Sequence, residues 1–183
     1  MAVLPIRIFG DPVLRERAAE VTRFDEALAR LGQDMLTTLR AAAGAAIAGN
    51  QVGVLKRIIA FDLRAEDDPD HGVYVNPEVL ETSEEVEESE EGCLSFPGLF
   101  YPTERPFRAR VKAYDVHGGE LERTGEGMVA RMLLHEIDHL NGILFIDHLA
   151  RHDRKDAMRR IRAGELDEPG AAARAAAPDE PVI

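Results

Sequence analysis

The sequence predicts a domain of the α+β class, in which mixed or antiparallel strands pack around one central helix. Three observations support this class: an amphipathic helix near the N-terminus, short strands in the middle of the chain, and a late helix that is apolar on almost every side. No regular alternation of strands and helices indicates a parallel sheet. With 183 residues the chain is long enough for one hydrophobic core, so we expect one main domain.

The first predicted helix begins near Asp25 and ends near Ala43. Its large apolar residues recur at intervals of three and four, which places them on one stripe of a helix. Residues 44–53 follow, and their glycines and small side chains predict a loop that lies close to other backbone or to a ligand, with an ordinary surface turn as the alternative.

Strands are predicted for the middle of the chain. Residues 58–61 and 73–75 are apolar runs, and residues 108–115 alternate basic with apolar side chains before a hairpin signal at 117–119. The glutamate-rich stretch 81–91 is interpreted as the solvated edge of a strand, without a function.

The late helix ends at Asn141-Gly142 and is predicted to lie inside the domain. After it, residues 151–162 hold six basic and two acidic side chains and predict a basic helix. The remaining sequence is dominated by Ala, Pro, Glu and Asp, a composition that buries little apolar surface. The predicted organisation is one main domain over 1–149, a basic C-terminal helix over 150–163 and a disordered tail over 164–183.

Composition excludes several classes of protein. The 34 acidic and 22 basic side chains leave a net charge of -12, which argues against a general or sequence-specific nucleic-acid binder. The single cysteine excludes a disulfide within the chain. Neither a signal peptide nor an apolar run of membrane-spanning length is recognised, so we expect a cytoplasmic location and no membrane role.

The clearest chemical signal lies in the late helix. His135 and His139 are four residues apart, so on a helix both imidazoles face the same way and can bind one metal ion. Glu136 lies beside them, and its carboxylate can take a proton from water and pass it to a leaving amine. Two buried histidines without a metal are the alternative, because this pattern also arises by chance.

Cys93 is a possible third ligand. It lies in the segment EGCLSFPG, residues 91–98, which is too rich in Gly and Pro for ordinary core. A thiolate is a strong metal ligand, although most lone cysteines are small buried hydrophobic residues. One cysteine and two histidines make three protein ligands, which leaves the fourth tetrahedral position open, as in catalytic sites.

Taken together, these segments resemble the peptide deformylase family, whose motifs are a GxGxAxxQ loop, an EGCLS segment and an HExxH helix, in that order. The counterparts here are residues 44–51, 91–95 and 135–139, and the likeness extends from about Gly10 to about Leu149. The resemblance implies a metal-dependent hydrolase that removes the N-formyl group from the N-terminal formyl-methionine of nascent polypeptides and releases formate.

The resemblance also implies the metal site. Cys93, His135 and His139 would bind one divalent ion per chain, with Fe²⁺ as the ion in the cell and Zn²⁺, Ni²⁺ or Co²⁺ able to replace it. The ligand types alone do not choose among these metals. Glu136 would be the general acid and base.

Oxyanion and substrate contacts are implied in the same way. Gln51 and the backbone amide of Leu94 would bind the oxygen that becomes negative in the tetrahedral intermediate. The substrate backbone and the methionine side chain would contact seven residues: Gly44, Ala45, Ala46, Gly92, Met128, Arg131 and Met132.

Two positions depart from the family pattern. Ala46 replaces a glycine and would be strained if its backbone needed a positive φ. Leu134 replaces a glutamine just before the first histidine, and the loss of a group that supports metal ligands typically costs about 10–100-fold in affinity or rate. A degenerate homologue that binds metal or formyl-peptide with weak or no turnover is therefore one alternative, although Gln51 and Glu136 are retained.

Three further hypotheses remain open. An HExxH protease with an acidic third ligand would make the EGCLS segment accidental. A Cys93 nucleophile paired with a histidine predicts activity that survives chelators. The family's C-terminal segment can dock on the ribosome, so residues 151–162 are a possible ribosome contact, although such a helix more often forms ion pairs with its own domain.

Overall fold

The computed structural model describes residues 1–65 and 68–166. Its three α-helices are α1 (Glu26–Ala42), α2 (Met128–Leu140) and α3 (Arg151–Arg162). The larger sheet has the order β1-β2-β3-β6-β7, with β1 (Ala46–Ala48), β2 (Ile58–Ala65), β3 (Asp68–Thr82), β6 (Arg108–Tyr114) and β7 (Glu120–Glu126). The smaller sheet pairs β4 (Val86–Gly92) with β5 (Phe100–Pro106).

Every neighbouring pair of these strands is antiparallel, and α2 packs against the large sheet. The predicted α+β class with a central helix is therefore confirmed. In the part of the chain that the structure describes, no helix combines the length and the apolar character needed to cross a bilayer.

Helix α2 is the central helix of the fold. It begins after Gly127, whose backbone has φ +51° and whose N–H donates to the carbonyl of Phe107 at 2.8 Å. Met132 and Leu133 are fully buried in one core cluster with Ile59 and other apolar residues of the large sheet. Because the same helix carries both predicted histidine ligands, the core that anchors α2 also holds them in place.

Helix α1 covers a second core cluster. Its first turn is capped by Asp25, whose carboxylate accepts a hydrogen bond from the N–H of Leu28 at 3.0 Å. The helix ends at Ala43 in the left-handed conformation, with φ 51°. Met35 and Leu39 are fully buried against the β2–β3 side of the sheet. The predicted helix over residues 25–43 is confirmed.

The predicted strands at 58–61, 73–75 and 108–115 are confirmed as parts of β2, β3 and β6. The hairpin signal is also confirmed: Gly118 has φ +88°, and the carboxylate of Asp115 accepts from the N–H groups of His117 and Gly119 at 2.7 and 2.8 Å. The local turn chemistry therefore fixes the β6–β7 register.

Residues 44–53 differ from the prediction of a loop or surface turn. They contain β1 and a 3₁₀ turn (Gly49–Val52), and residues 45–52 are buried. Ala46 pairs with Phe61 in extended backbone, and the described non-glycine residues with positive φ are Ala43 and Asn76, so the predicted strain at Ala46 does not arise. A side chain at Gly49 would meet two backbone carbonyl oxygens at 2.7 Å, which explains the glycine there.

The C-terminal part begins with the predicted basic helix, observed as α3. Ala157 is buried, and Met158 and Ile161 pack against the third core cluster, which also contains Cys93. Most of the predicted tail, residues 167–183, lies outside the described residues.

Candidate metal centre

The structure brings Cys93, His135 and His139 together. Their ligand atoms all lie within 4.8 Å of one another, and each side chain is 1% exposed. His139 Nε2 is 3.2 Å from both Cys93 Sγ and His135 Nε2. A sulfur and two imidazole nitrogens at these separations are compatible with one tetrahedral ion and an open fourth position.

Local sequence explains how these atoms meet. The two histidines project from one face of α2 because they are four residues apart. Cys93 follows the last residue of β4, Gly92, where a side chain would overlap the Phe100 ring at 2.5 Å. The Cys93 carbonyl accepts from the N–H of Phe96 at 2.8 Å, so a tight turn directs the sulfur toward α2.

Gln51 also contacts the sulfur of Cys93. Its side-chain nitrogen is 3.4 Å from Cys93 Sγ and 3.3 Å from Ser95 Oγ. Its side-chain oxygen accepts from the N–H of Ala48 at 2.8 Å. That bond orients the amide so that its N–H₂ group faces the cluster. Leu94, the other predicted oxyanion residue, directly follows Cys93 and is buried.

The Glu136 carboxylate has unmet hydrogen-bonding capacity. The residue is fully buried, and neither carboxylate oxygen has a hydrogen-bond partner among the described residues. Burial raises the pKa of this carboxyl well above its ordinary value, and the negative charge of Glu91 adds to the shift. A buried, unpartnered carboxylate beside a metal-ligand cluster is typical of a general base rather than of a structural acid.

The protonation behaviour of the ligands also fits a cation. Burial lowers the pKa of His139 well below its ordinary value, so this imidazole is neutral and offers a lone pair. Burial raises the pKa of the Cys93 thiol, and Glu136 and Glu91 add to the rise. A divalent cation among these atoms would favour the thiolate and balance the Glu136 carboxylate. The residues present therefore fit a divalent metal ion.

Glu91 completes the support of the cluster. Its carboxylate lies 2.6 Å from His135 Nδ1, 2.7 and 3.0 Å from two nitrogens of Arg105, and 2.9 Å from Arg131 Nη1. Burial alone would raise the pKa of Glu91, but the hydrogen bonds and charges of His135 and Arg105 hold it far below its ordinary value. An ionised carboxylate accepts a hydrogen bond from Nδ1–H of His135. The lone pair of His135 is then on Nε2, which faces the other two candidate ligands.

Similarity to known proteins establishes the family of this chain. The family model described as polypeptide deformylase matches residues 3–155. The chain belongs to the peptide deformylase family. A peptide deformylase of Acidothermus cellulolyticus is 46% identical over 165 residues, which cover 90% of this chain and 89% of that relative.

Solved peptide deformylase structures have the same fold. One from Legionella pneumophila is 40% identical, with a TM-score of 0.83 over 90% of this chain and 96% of that one. One from Ehrlichia chaffeensis, in complex with actinonin, is 35% identical, with a TM-score of 0.84 over 90% and 99% of the two chains. The predicted family and enzyme class are confirmed, and the comparisons lend no support to a degenerate homologue or to a protease.

Some predicted substrate contacts of this deformylase lie together and one does not. Met132 is buried in one cluster with Ala46, and Met128 packs against that cluster. Gly44 approaches Leu94 so closely that a side chain there would meet it at 2.8 Å. Arg131 differs, because its guanidinium is 1% exposed and donates to Glu91 and to the carbonyls of Thr103 and Glu87.

Sequence reasoning misses Glu91. The interpretation of residues 81–91 as a solvated edge without a function holds for residues 86–90 of β4, which are exposed or half-buried, but Glu91 is 0% exposed. Its position directly before Gly92-Cys93 is the available signal. Leu134 is half-buried, and the observed support of His135 comes from Glu91, so the family glutamine is not needed for that contact.

Proposed function

We propose that this deformylase hydrolyses the N-formyl group of formyl-methionyl nascent peptides at one divalent metal ion held by Cys93, His135 and His139. The observation that carries the proposal is the buried cluster of three ligand atoms beside the unpartnered Glu136 carboxylate. When bound, the ion supplies Lewis acidity toward water and the formyl oxygen. Hydrolysis converts the formamide and one water into formate and a free amine.

Glu136 moves the proton in this proposal. Its carboxylate follows His135 directly in sequence and both oxygens lack hydrogen-bond partners among the described residues, so it can accept a proton from the attacking water. The raised pKa that burial produces then helps the protonated carboxyl to donate to the departing amine. One side chain thereby serves as base and then as acid.

Gln51 and the Leu94 amide stabilise the oxyanion. The Gln51 carboxamide oxygen is held by Ala48, so its N–H₂ group needs little reorganisation to donate to a negative oxygen near the cluster. The Leu94 N–H belongs to the residue that directly follows Cys93. Preorganised donors of this kind are each worth about 10²–10³ in rate.

Substrate binding is proposed for the buried surface around the cluster. The methionine side chain contacts Met128, Met132 and Ala46, with Gly44, Ala45 and Gly92 offering backbone close to the substrate chain. Arg131 supports this surface indirectly by holding Glu91. A formyl carbon bears only hydrogen, so a close-packed site admits it and excludes larger acyl groups.

The cellular ion is proposed to be Fe²⁺, with Zn²⁺, Ni²⁺ or Co²⁺ as replacements. Thiolate and imidazole ligands bind Zn²⁺ more tightly than Fe²⁺ in the usual order of affinity, so availability rather than the ligand set would select iron. Metal analysis of protein purified without air checks this point, and a zinc-only preparation from iron-replete cells would contradict it.

Formate release tests the proposed function. We expect metal-loaded protein to release formate from a short formyl-Met peptide and to leave the matched acetyl-Met peptide intact. A chelator should remove the activity, and a divalent metal should restore it. Activity that persists after metal removal would contradict the proposal and favour a Cys93 nucleophile; equal cleavage of both peptides would contradict the formyl selectivity.

We further propose that the enzyme acts in the cytoplasm on chains leaving the ribosome, with α3 as the contact. Some of its basic groups are engaged within the chain: Arg154 pairs with Asp147 at 3.2 Å and Arg160 with Glu165 at 3.1 Å. His152, Lys155, Arg159 and Arg162 line one open surface with Asp156. Such a surface retains positive charge toward solvent despite the net charge of -12.

Ribosome co-sedimentation distinguishes docking by α3 from purely internal ion pairing. We compare the full chain with versions that end at Ala150 and Ala163, at low and high salt. Docking by α3 requires salt-sensitive binding that the version ending at Ala163 retains and the version ending at Ala150 loses. Equal binding by all three forms would contradict it.

A further inference from the structure

A line of hydrogen bonds runs from the three candidate metal ligands to the protein surface. It passes from His135 to Glu91 and from Glu91 to Arg105, at the distances given above. Arg105 Nη1 continues to Asp138 Oδ2 at 2.5 Å, and the same oxygen lies 2.8 Å from His148 Nε2. Exposure rises along the line: Arg105 is 5%, Asp138 18% and His148 36% exposed. His148 is therefore the end of the line that exchanges protons with solvent.

We infer that His148 is a positioning residue of this deformylase, acting on the ligand His135 through Asp138, Arg105 and Glu91. The inference rests on the proposed metal site, and neither the chemical step nor the ligand set requires it. Nothing in the mechanism above uses His148, which contacts no proposed ligand or substrate residue in the described hydrogen bonds.

The contacts of His148 give the direction of the effect. Two charged groups from the packed elements face its ring: Asp138 of α2, and Arg105 of β5, whose Nη1 lies 3.4 Å from Nε2. In its own segment, the neighbouring Asp147 is paired with Arg15 and Arg154. A neutral ring can accept from Arg105 or donate to Asp138, whereas a protonated ring donates to Asp138 and repels Arg105.

Protonation of His148 therefore shifts charge along the line. The Asp138 oxygen then binds two cations, Arg105 and the protonated His148 ring, and attracts Arg105 less strongly. Arg105 in turn neutralises the charge of Glu91 more fully. Glu91 then becomes a weaker acceptor for His135, and His135 a weaker ligand. The burial of Asp138 alone would raise its pKa, but the His148 hydrogen bond and the Arg105 charge lower it, as expected for an anion shared by these two groups. Metal should be lost faster when His148 is protonated.

The test measures zinc release into a chelator across about pH 5.5–8. Variants are His148→Gln, which can still donate to Asp138 but does not titrate, and His117→Gln, which changes an exposed histidine in the β6–β7 turn and serves as the matched control. In wild type and His117→Gln we expect an extra step of about three- to tenfold in the release rate, smaller than the 10–100-fold effect of a group that touches the ligand. His148→Gln should lack this step and release zinc more slowly at the acid end.

The Asp138→Asn variant tests the path of the coupling between His148 and His135. Because the shorter contact of His148 is with Asp138, the effect of His148→Gln on zinc release should be much smaller when Asp138→Asn is also present, and the direct contact with Arg105 accounts for what is left. The kcat profile should lose the same step in His148→Gln while KM is unchanged. A step that persists in His148→Gln, or an effect of that substitution that keeps its full size in Asp138→Asn, would overturn the inference. Wild type that binds no zinc or releases no formate would instead overturn the proposed function.

Discussion

Replacement of Glu136 by Gln is expected to remove nearly all formate release and to leave the metal bound. The three ligands and the side-chain size are unchanged, and only the group that accepts and returns the proton is lost. General acid and base catalysis contributes about 10²–10⁴-fold, so kcat should fall by that factor with little change in KM. Formate release and metal content measured on the same samples check both parts.

Glu136→Asp is the matched variant, because it keeps a carboxylate but withdraws it by one methylene. We expect kcat to decrease in the order wild type, Glu136→Asp, Glu136→Gln. The metal-free proteins give a separate readout. The folded pKa of Glu136 is raised, so its contribution to stability is full below about pH 4.5 and is lost as pH rises toward the folded pKa. At pH 7 metal-free Glu136→Gln should therefore unfold at higher urea than metal-free wild type. Turnover like that of wild type would remove Glu136 from the mechanism.

Replacement of Glu91 by Gln is expected to lower the free energy of unfolding by about 3–5 kcal/mol, the range for breaking a buried ion pair. Glu91 is 0% exposed and its partners Arg105 and Arg131 are 5% and 1% exposed, so two guanidinium groups would lose their buried counter-charge. Urea unfolding in the presence of a chelator measures this without a contribution from metal. Glu90→Gln, at the adjacent exposed position, should change stability by less than about 0.5 kcal/mol.

The pH dependence of the Glu91→Gln effect has a definite sign. The folded pKa of Glu91 lies below the ordinary 4.5, so its contribution is full above about pH 4.5 and is lost as pH falls below that value. The stability difference between wild type and Glu91→Gln should therefore shrink in acid. A difference that stays constant down to about pH 3 would contradict the assignment of an ionised Glu91 in the folded chain.

Much of the fold and the ligand set can be predicted from local pattern. Apolar spacing in α1 and α2 and the His117-Gly118-Gly119 turn are short-range signals, and the structure confirms the elements they predict. The cysteine and the two histidines are recognisable by residue type and spacing. Each of these signals is contained in a few consecutive residues.

Long-range contacts cannot be predicted in the same way. Glu91 is buried because β4 carries it to Arg105 and Arg131, which are 14 and 40 residues away in sequence. Its neighbours in the acidic stretch are not buried, so composition does not single it out. Residues 44–53 do not reveal β1, because a run of three residues between glycines forms a strand only through pairing with β2. Arg131 has no local feature that separates a pocket residue from a buried partner of Glu91.

The coordination of the bound ion is the most direct test of the metal centre and of its independence from Glu136. X-ray absorption at the metal edge should be recorded for zinc-loaded wild type and Glu136→Gln. In both proteins we predict one sulfur at about 2.3 Å and two imidazole nitrogens at about 2.0–2.1 Å. A spectrum without sulfur would contradict ligation by Cys93, and loss of the ion from Glu136→Gln would make Glu136 a ligand rather than a base.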